Sequence, residues 1–280
     1  MRKTWQTALI LLLALQLAGC GNHSNETTIN IKSTPISTET TNLVQTQTVE
    51  ATAQPTPDPK ETIQVEGTAQ TLYRMNNVFR FEPLDKLAPK KAVLLTFDDG
   101  PNDETTLKSI LDTLDKHNAK AIFFVNGYQV KQHPDLLKLI HERKQTIGNH
   151  SYDHISLRKE KAEVVEKQLT GVQIEVKQLT GVVPKFFRPP YGEGSDLVRK
   201  IAKDHGMLYM TWSNGSLDWD KTAKNKPDVV IKNVMEQLHP GANILMHELK
   251  WTADALDELL TKIEADGYSF IDPETIEVTH

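Results

Sequence analysis

The 280-residue sequence contains a single cysteine, Cys20. No disulfide can form within the chain, so an exported domain would have to stand on its core alone. Aromatic residues make up only 6% of the whole, and Phe, Tyr and Trp are missing altogether from residues 21–70. Thr, Gln, Asn, Ser, Glu and Pro stand there instead, as in Thr38-Glu39-Thr40-Thr41-Asn42 and Pro55-Thr56-Pro57. Such a stretch buries too little apolar surface to offset the entropy of ordering it, and residues 20–71 read as a disordered polar tether. A flexible coil of about 50 residues spans roughly 40 Å on average. Charge of one sign is also lacking: 32 basic residues face 37 acidic ones, with no Lys/Arg block in the remainder, which argues against a nucleic-acid partner.

Long hydrophobic runs are absent too. The stretch from about Ala8 to Leu17 is too short to span a bilayer and, following Arg2 and Lys3, fits a secretory h-region. It ends in Leu17-Ala18-Gly19-Cys20, which resembles the lipobox of bacterial lipoproteins. The expectation is that residues 1–19 are a signal peptide and that Cys20 is lipidated. Two acyl chains on that residue suffice for stable anchoring, placing the protein extracytoplasmically at the cell membrane. The alternative is an ordinary signal peptide with an incidental cysteine.

Residues 72–280 are long enough for one domain with a full core. Strands are expected near Ala92 to Phe97, Ala121 to Val125, Thr146 to Asn149, Lys185 to Arg188, Met207 to Trp212, Asn243 to His247 and Tyr268 to Ile271. Between them, Leu107, Ile110, Leu111 and Leu114 mark one helix face, and Val165, Leu169, Val172, Val176 and Leu179 a longer one. Pro227 suits the first turn of a further helix, and Gly206, Gly241 and Gly267 stand where helices would stop. About seven strands separated by helices imply an α/β fold with a parallel sheet, most simply a closed or nearly closed barrel. The segment from Tyr73 to Pro83 reads equally as part of the barrel or of the tether.

In such folds chemistry gathers where strands end. Thr96-Phe97-Asp98-Asp99-Gly100-Pro101 follows an apolar run and presents two adjacent carboxylates, although a turn with a helix cap near Asp103 would explain them as well. His150-Ser151-Tyr152-Asp153-His154 follows another strand. If that turn is helical, its histidines face the same way. With Asp99 as third ligand they form a two-imidazole, one-carboxylate set that leaves an open position, the pattern of catalytic zinc. A solvated helix face is the plain alternative. No Glu follows the first histidine, so the His-Glu-x-x-His metalloprotease pattern fails. Phe187-Arg188-Pro189-Pro190-Tyr191-Gly192 puts an arginine where it could orient a carboxylate and a backbone N–H where it could meet an oxyanion. Trp212 and Trp219 offer flat faces for a sugar or simply packing. His247 ends the run Ile244-Leu245-Met246 and could equally be a satisfied core residue.

The ordered set Thr-Phe-Asp-Asp-Gly, His-Ser-x-x-His, Arg-Pro-Pro-Tyr, Asp-Trp and Leu-x-His resembles the polysaccharide deacetylases of carbohydrate esterase family 4, the NodB-homology domain, over about residues 90–272. The resemblance implies a distorted (β/α) barrel of about seven parallel strands, complete or incomplete, and metal-dependent removal of acetyl groups from polysaccharides. It implies Asp98 as catalytic base, Asp99, His150 and His154 as metal ligands, and His247 as general acid. Arg188 would hold Asp98, the Tyr191 N–H would serve the oxyanion, and Trp219 with Leu245 would line an acetyl-methyl pocket. One position departs: Gly215 stands where the family usually has an Asp, three residues before Asp218. If that carboxylate normally supports the acid, His247 here has a lower pKa or takes its support from Asp218.

The expected activity is N-deacetylation of N-acetylglucosamine or N-acetylmuramic acid in peptidoglycan, with zinc as the metal and cobalt or manganese as alternatives. A surface glucosamine polymer, chitin oligosaccharide or acetylated xylan is the alternative substrate. A silent wall-binding module is the alternative class, although such a module has no chemical need for both Asp98 and His247.

Overall fold

The computed structural model describes residues 70–278. The expected signal peptide, Cys20 and the tether up to residue 69 lie outside them. Among the described residues no helix is long and apolar enough to cross a membrane.

The chain opens with an antiparallel hairpin, β1 (Tyr73–Met75) and β2 (Phe81–Pro83). Then follow β3 (Ala92–Gly100), α1 (Glu104–Lys116), β4 (Ala121–Val125), α2 (Gly127–Gln132), α3 (Pro134–Glu142), β5 (Thr146–Asn149), α4 (Ala162–Thr180) and β6 (Phe186–Phe187). The remainder comprises α5 (Asp196–Asp204), β7 (Leu208–Tyr209), β8 (Asn214–Gly215), α6 (Pro227–Glu236), β9 (Asn243–His247), α7 (Lys250–Ala265) and β10 (Ser269–Phe270). The strands pair in parallel in the order β7-β6-β5-β4-β3-β9-β8, a curled sheet that forms a half-barrel with its helices outside. β10 pairs only with Ala92 and Val93 at the start of β3.

Period-two alternation sorts the side chains. Val93, Leu95 and Phe97 of β3 pack outward with Leu107, Ile110, Leu111 and Leu114 of α1, whose cap Asp103 accepts from the Thr106 N–H at 2.8 Å. Ala92 and Leu94 face inward with Ile122, Phe124, Phe186 and Met210. Thr96 and Asp98 continue that inward column to the rim.

The barrel is distorted and incomplete, in keeping with the expected (β/α) architecture, and it is open along one side. β6, β7 and β8 have two residues each, and β7 and β8 form the two edges of the sheet. The strand expected at Met207 to Trp212 stops at Tyr209 because the chain then crosses the gap. The Met210 N–H still donates to Phe187 O, but the Ser213 N–H donates to Asn243 O on the other side. Arg188 Nη2 and Asn243 Nδ2 donate to Thr211 O at 2.9 and 3.0 Å, so side chains replace the missing ladder.

The hairpin belongs to the barrel. Tyr73 and Phe81 are buried against Ala92, Leu94 and Ile271, plugging the end opposite the loops that follow the strands. Gly241 is not a helix stop, since α6 already ends at Glu236. Its φ of 74° lets its backbone meet the hairpin, where Phe81 N–H donates to Gly241 O and a Cβ would come within 2.0 Å of Phe81 O.

Candidate active site

A regular strand would send Asp98 and Asp99 to opposite faces. Here the pairing of β3 with β4 slips between Asp98 and Gly100, and Asp99 takes a φ of 69°. This bulge turns both carboxylates into one cavity of about 330 Å³, which Leu245, Tyr191, Trp212 and Trp219 also line.

Asp98 is 3% exposed, and its Oδ1 accepts from Arg188 Nη1 at 2.7 Å. Arg188 is wholly buried, with its guanidinium 4.3 Å from the centre of the Phe124 ring. Its Nη1 also donates to Thr96 Oγ1 at 2.8 Å, and Nη2 donates to Asn243 Oδ1 at 3.0 Å. Burial pulls the Arg188 pKa down and the neighbouring Asp98 carboxylate opposes it. The charge is held by four acceptors in a planar fork that a lysine could not satisfy.

The loop after β5 is not the helical turn expected. Ser151 and His154 both have positive φ, 67° and 52°. The carbonyls of Ser151 and Tyr152 instead accept from Gly127 and Tyr128 at the start of α2. The Tyr152 ring fills the space left by Gly127 and Gly171, where added Cβ atoms would lie 2.1 and 2.8 Å from it. The histidines converge all the same: His150 Nε2 and His154 Nε2 lie 3.3 and 3.0 Å from Asp99 Oδ1. His150 Nδ1 lies 2.7 Å from Arg188 O, which can only accept, so Nδ1 carries the proton and Nε2 presents its lone pair. Asp99 Oδ1 is a buried oxygen with no hydrogen-bond partner. Burial works against its charge, but His150, His154 and His247 hold the carboxyl well below the usual range. Three ligand atoms within 4.8 Å of one another, two from imidazoles and one from a carboxylate with an orphaned oxygen, fit a divalent metal ion.

His247 faces the same cavity from β9, its Nε2 3.8 Å from Asp99 Oδ2. Its Nδ1 lies 2.7 Å from Asp218 Oδ1, and its main-chain N–H donates to Asp218 Oδ2 at 2.7 Å. Thr252 Oγ1 donates to the same Oδ2 at 2.7 Å, and Trp251 Nε1 donates to Asp218 O at 2.8 Å. Burial alone would lower the His247 pKa, but the hydrogen bond and charge of Asp218 push it up to about 9. Of the two outcomes left open by Gly215, the hydrogen bonds favour support from Asp218. Gly215 lies in β8 with the Gln237 side-chain amide donating to its carbonyl at 2.9 Å.

Tyr191 and Trp219 stand at the rim, and Leu245 lies at 3% exposure beneath. The Trp219 ring meets His247 edge-on at 5.2 Å and Trp212 at 6.4 Å. Tyr191 takes a φ of 59° in the Pro190–Gly192 turn, and its ring stands edge-on to His154 at 4.7 Å. A second cavity of about 570 Å³ shares Asp99, His154, Trp219 and His247 with the first and extends past Trp251 and Lys224. Thr96, Asn243, Thr252 and Trp251 escaped sequence reasoning. The signal for two of them was parity: Thr96 shares the inward face of Asp98, and Asn243 that of His247, in otherwise apolar strands.

Residues 85–210 match the family model described as polysaccharide deacetylase. The chain is 38% identical over 187 residues to the peptidoglycan-N-acetylglucosamine deacetylase PgdA of Listeria monocytogenes, covering 66% of this chain and 39% of that one. It thus spans about two-fifths of that relative's length. To the peptidoglycan-N-acetylmuramic acid deacetylase PdaA of Bacillus subtilis it is 35% identical over 183 residues, covering 65% and 69%. The crystal structure of a CE4 family pseudoenzyme from Bacillus anthracis is similar with a TM-score of 0.63 and 33% identity, covering 67% of each chain. With its strand-end carboxylates and histidines gathered in one cavity and this identity across most of the Bacillus relative, the chain belongs to the polysaccharide deacetylase family, carbohydrate esterase family 4.

Proposed function

We propose that the chain is a zinc-dependent N-deacetylase that releases acetate from N-acetylglucosamine or N-acetylmuramic acid of peptidoglycan. The observation that carries this reading is a guanidinium-held carboxylate and a carboxylate-held imidazole beside one ligand cluster. Asp98 Oδ2 lies 3.7 Å from His150 Nε2, and His247 Nε2 lies 3.8 Å from Asp99 Oδ2. Asp99, His150 and His154 would hold the ion. When bound it supplies Lewis acidity towards the acetyl carbonyl and a water acidified to a pKa of about 7.

The chain's own residues do the rest. Asp98, kept off the ligand set by Arg188, takes the water proton as base. His247, protonated at neutral pH through Asp218, gives its proton to the departing amine, without which a C–N bond does not break. The Tyr191 N–H serves the oxyanion, and Leu245 with Trp219 receives the methyl group. The named substrates of the Listeria and Bacillus relatives support peptidoglycan. So does the expected lipid anchor at Cys20, which would tether the enzyme at the outer membrane face beside the wall. The second reading, a silent wall-binding module, is favoured by the pseudoenzyme neighbour and opposed by the paired base and acid.

The test is acetate release from purified peptidoglycan with and without zinc, beside Asp98→Asn. Metal-dependent release that disappears in the variant is the expected outcome. Release only from chitin oligosaccharide, xylan or a glucosamine polymer keeps the chemistry and replaces the substrate; bound metal with no turnover on any glycan favours the binding module.

A further inference from the structure

The side chain after the proposed acid has no part in the chemistry above. Glu248 is 5% exposed, at the junction of β9 and α7. Its Oε1 accepts from the main-chain N–H groups of Asn102 and Asp103, both at 2.8 Å. These two residues lie in the loop that leaves Asp98 and Asp99, and 145 positions separate Asp103 from Glu248. Asn102 then passes the contact on, its Nδ2 donating to Asp99 O at 2.9 Å while its Oδ1 accepts from Gln129 in α2, the helix that follows β4. Glu248 Oε2 has no partner and lies where a Cβ on Gly100 would come within 2.5 Å of it.

A buried carboxyl is costly unless something in the fold depends on it. Here it joins the loop that presents the proposed metal ligand Asp99 to the strand end that presents His247. No ladder bond reaches that far, since the β3–β9 pairing ends at Asp98 opposite His247. Asp99 holds an uncommon backbone conformation for a non-glycine residue, one that persists only where its surroundings over-determine it. The Glu248 carboxyl and the Asn102 amide supply that determination from both sides of the bulge.

We propose that Glu248 is a positioning residue: it locks the 99–103 loop against the His247 strand end, so that Asp99 is preorganised to bind the metal and stands at a fixed distance from His247. The kinetic part rests on the deacetylase reading, whereas the metal-binding part does not.

The test measures zinc affinity of the purified full-length chain by competition with a chromogenic chelator, in Glu248→Ala, Glu248→Gln and Leu114→Ala. Leu114 is a buried core residue at the other end of α1 and serves as the stability control. The expected result is zinc binding about tenfold weaker in Glu248→Ala and within about twofold of wild type in Glu248→Gln, whose amide oxygen can still accept both N–H groups. Leu114→Ala should lower the melting temperature without weakening zinc. Unchanged affinity in Glu248→Ala, or an equal loss in Leu114→Ala, overturns the proposal. In the kinetic arm, Glu248→Ala should lower kcat with KM little changed, but lower it far less in a His247→Ala background. Full additivity there overturns the coupling to His247. The expected zinc results with no acetate release by wild type would support the positioning of Asp99 and overturn the deacetylase reading instead.

Discussion

At the scale of single residues, Arg188 and Asp98 are bound more tightly to each other than surface ion pairs are, because neither can turn to water. Removing one partner of such a pair leaves the other buried and uncompensated, at a cost of about 3–5 kcal/mol. Arg188→Ala is therefore expected to lose that much stability in denaturant unfolding and to lose turnover as well. Arg188→Lys keeps the charge but offers one point donor in place of the fork that spans Thr96, Asp98, Thr211 and Asn243. It should lower kcat by about 100-fold with a smaller change in KM, since misplacing a catalytic group costs on that order. Glu248 gives a pH prediction. Burial pushes its pKa from 4.5 up to about 7, although the N–H groups of Asp103 and Asn102 pull the other way. Between those two values the unfolded chain has released a proton that the folded chain retains. Its contribution to stability is thus full below pH 4.5 and is lost as pH rises to about 7, on the order of 3 kcal/mol. Unfolding of wild type and Glu248→Gln, compared across that window, should show wild type losing ground as pH rises. Parallel curves would refute the assignment.

At the scale of elements, the hairpin β1–β2 is a plug for the barrel end remote from the cavity. Phe81 is 3% exposed among the inward residues of β3 and β4, and Phe81→Ala should cost about 3–5 kcal/mol. Gly241→Ala should also destabilise, through its positive φ and the 2.0 Å approach to Phe81 O. Both variants should keep wild-type zinc affinity, because the plug and the ligand loops share no hydrogen bond. Loss of metal binding on a par with the loss of stability would show that the two ends of the barrel are coupled. The loop carrying His150 and His154 should behave differently. Its Tyr152 ring occupies the space of the Gly127 side chain, so Gly127→Ala must displace the ring and is expected to weaken zinc binding.

At the scale of the whole molecule, a ligand that binds only the folded state stabilises it by mass action, about 4 kcal/mol at a thousandfold excess over Kd. Zinc should therefore raise the melting temperature of the chelator-treated protein in a concentration-dependent way and restore acetate release together with it. Asp99→Ala should abolish both responses, whereas Asp98→Asn should abolish release and leave the thermal response. An unchanged melting temperature with added zinc in wild type would remove the metal site from the account.

Much of the architecture was legible because it rests on local periodicity. The bounds of β4, β5 and β9 follow from apolar runs flanked by turn residues, and α1 and α4 from stripes at helical spacing. Strands of two residues carry no such period. β8 was therefore invisible, the strand at Met207 was drawn too long, and the place where the barrel opens, between β7 and β8, could not be located. The sequence by itself determined which residues lie at strand ends, and the family motifs named their candidate roles. Only the tertiary structure decided that a bulge turns Asp98 and Asp99 into one cavity, and that His150 and His154 meet on Asp99 without a helical turn. It also decided that Asp218 supports His247 despite Gly215, and that Glu248 joins two loops 145 positions apart. The reason is physical: side-chain type and spacing are written along the chain, but hydrogen bonds between distant loops exist only once the barrel has curled and brought its strand ends together.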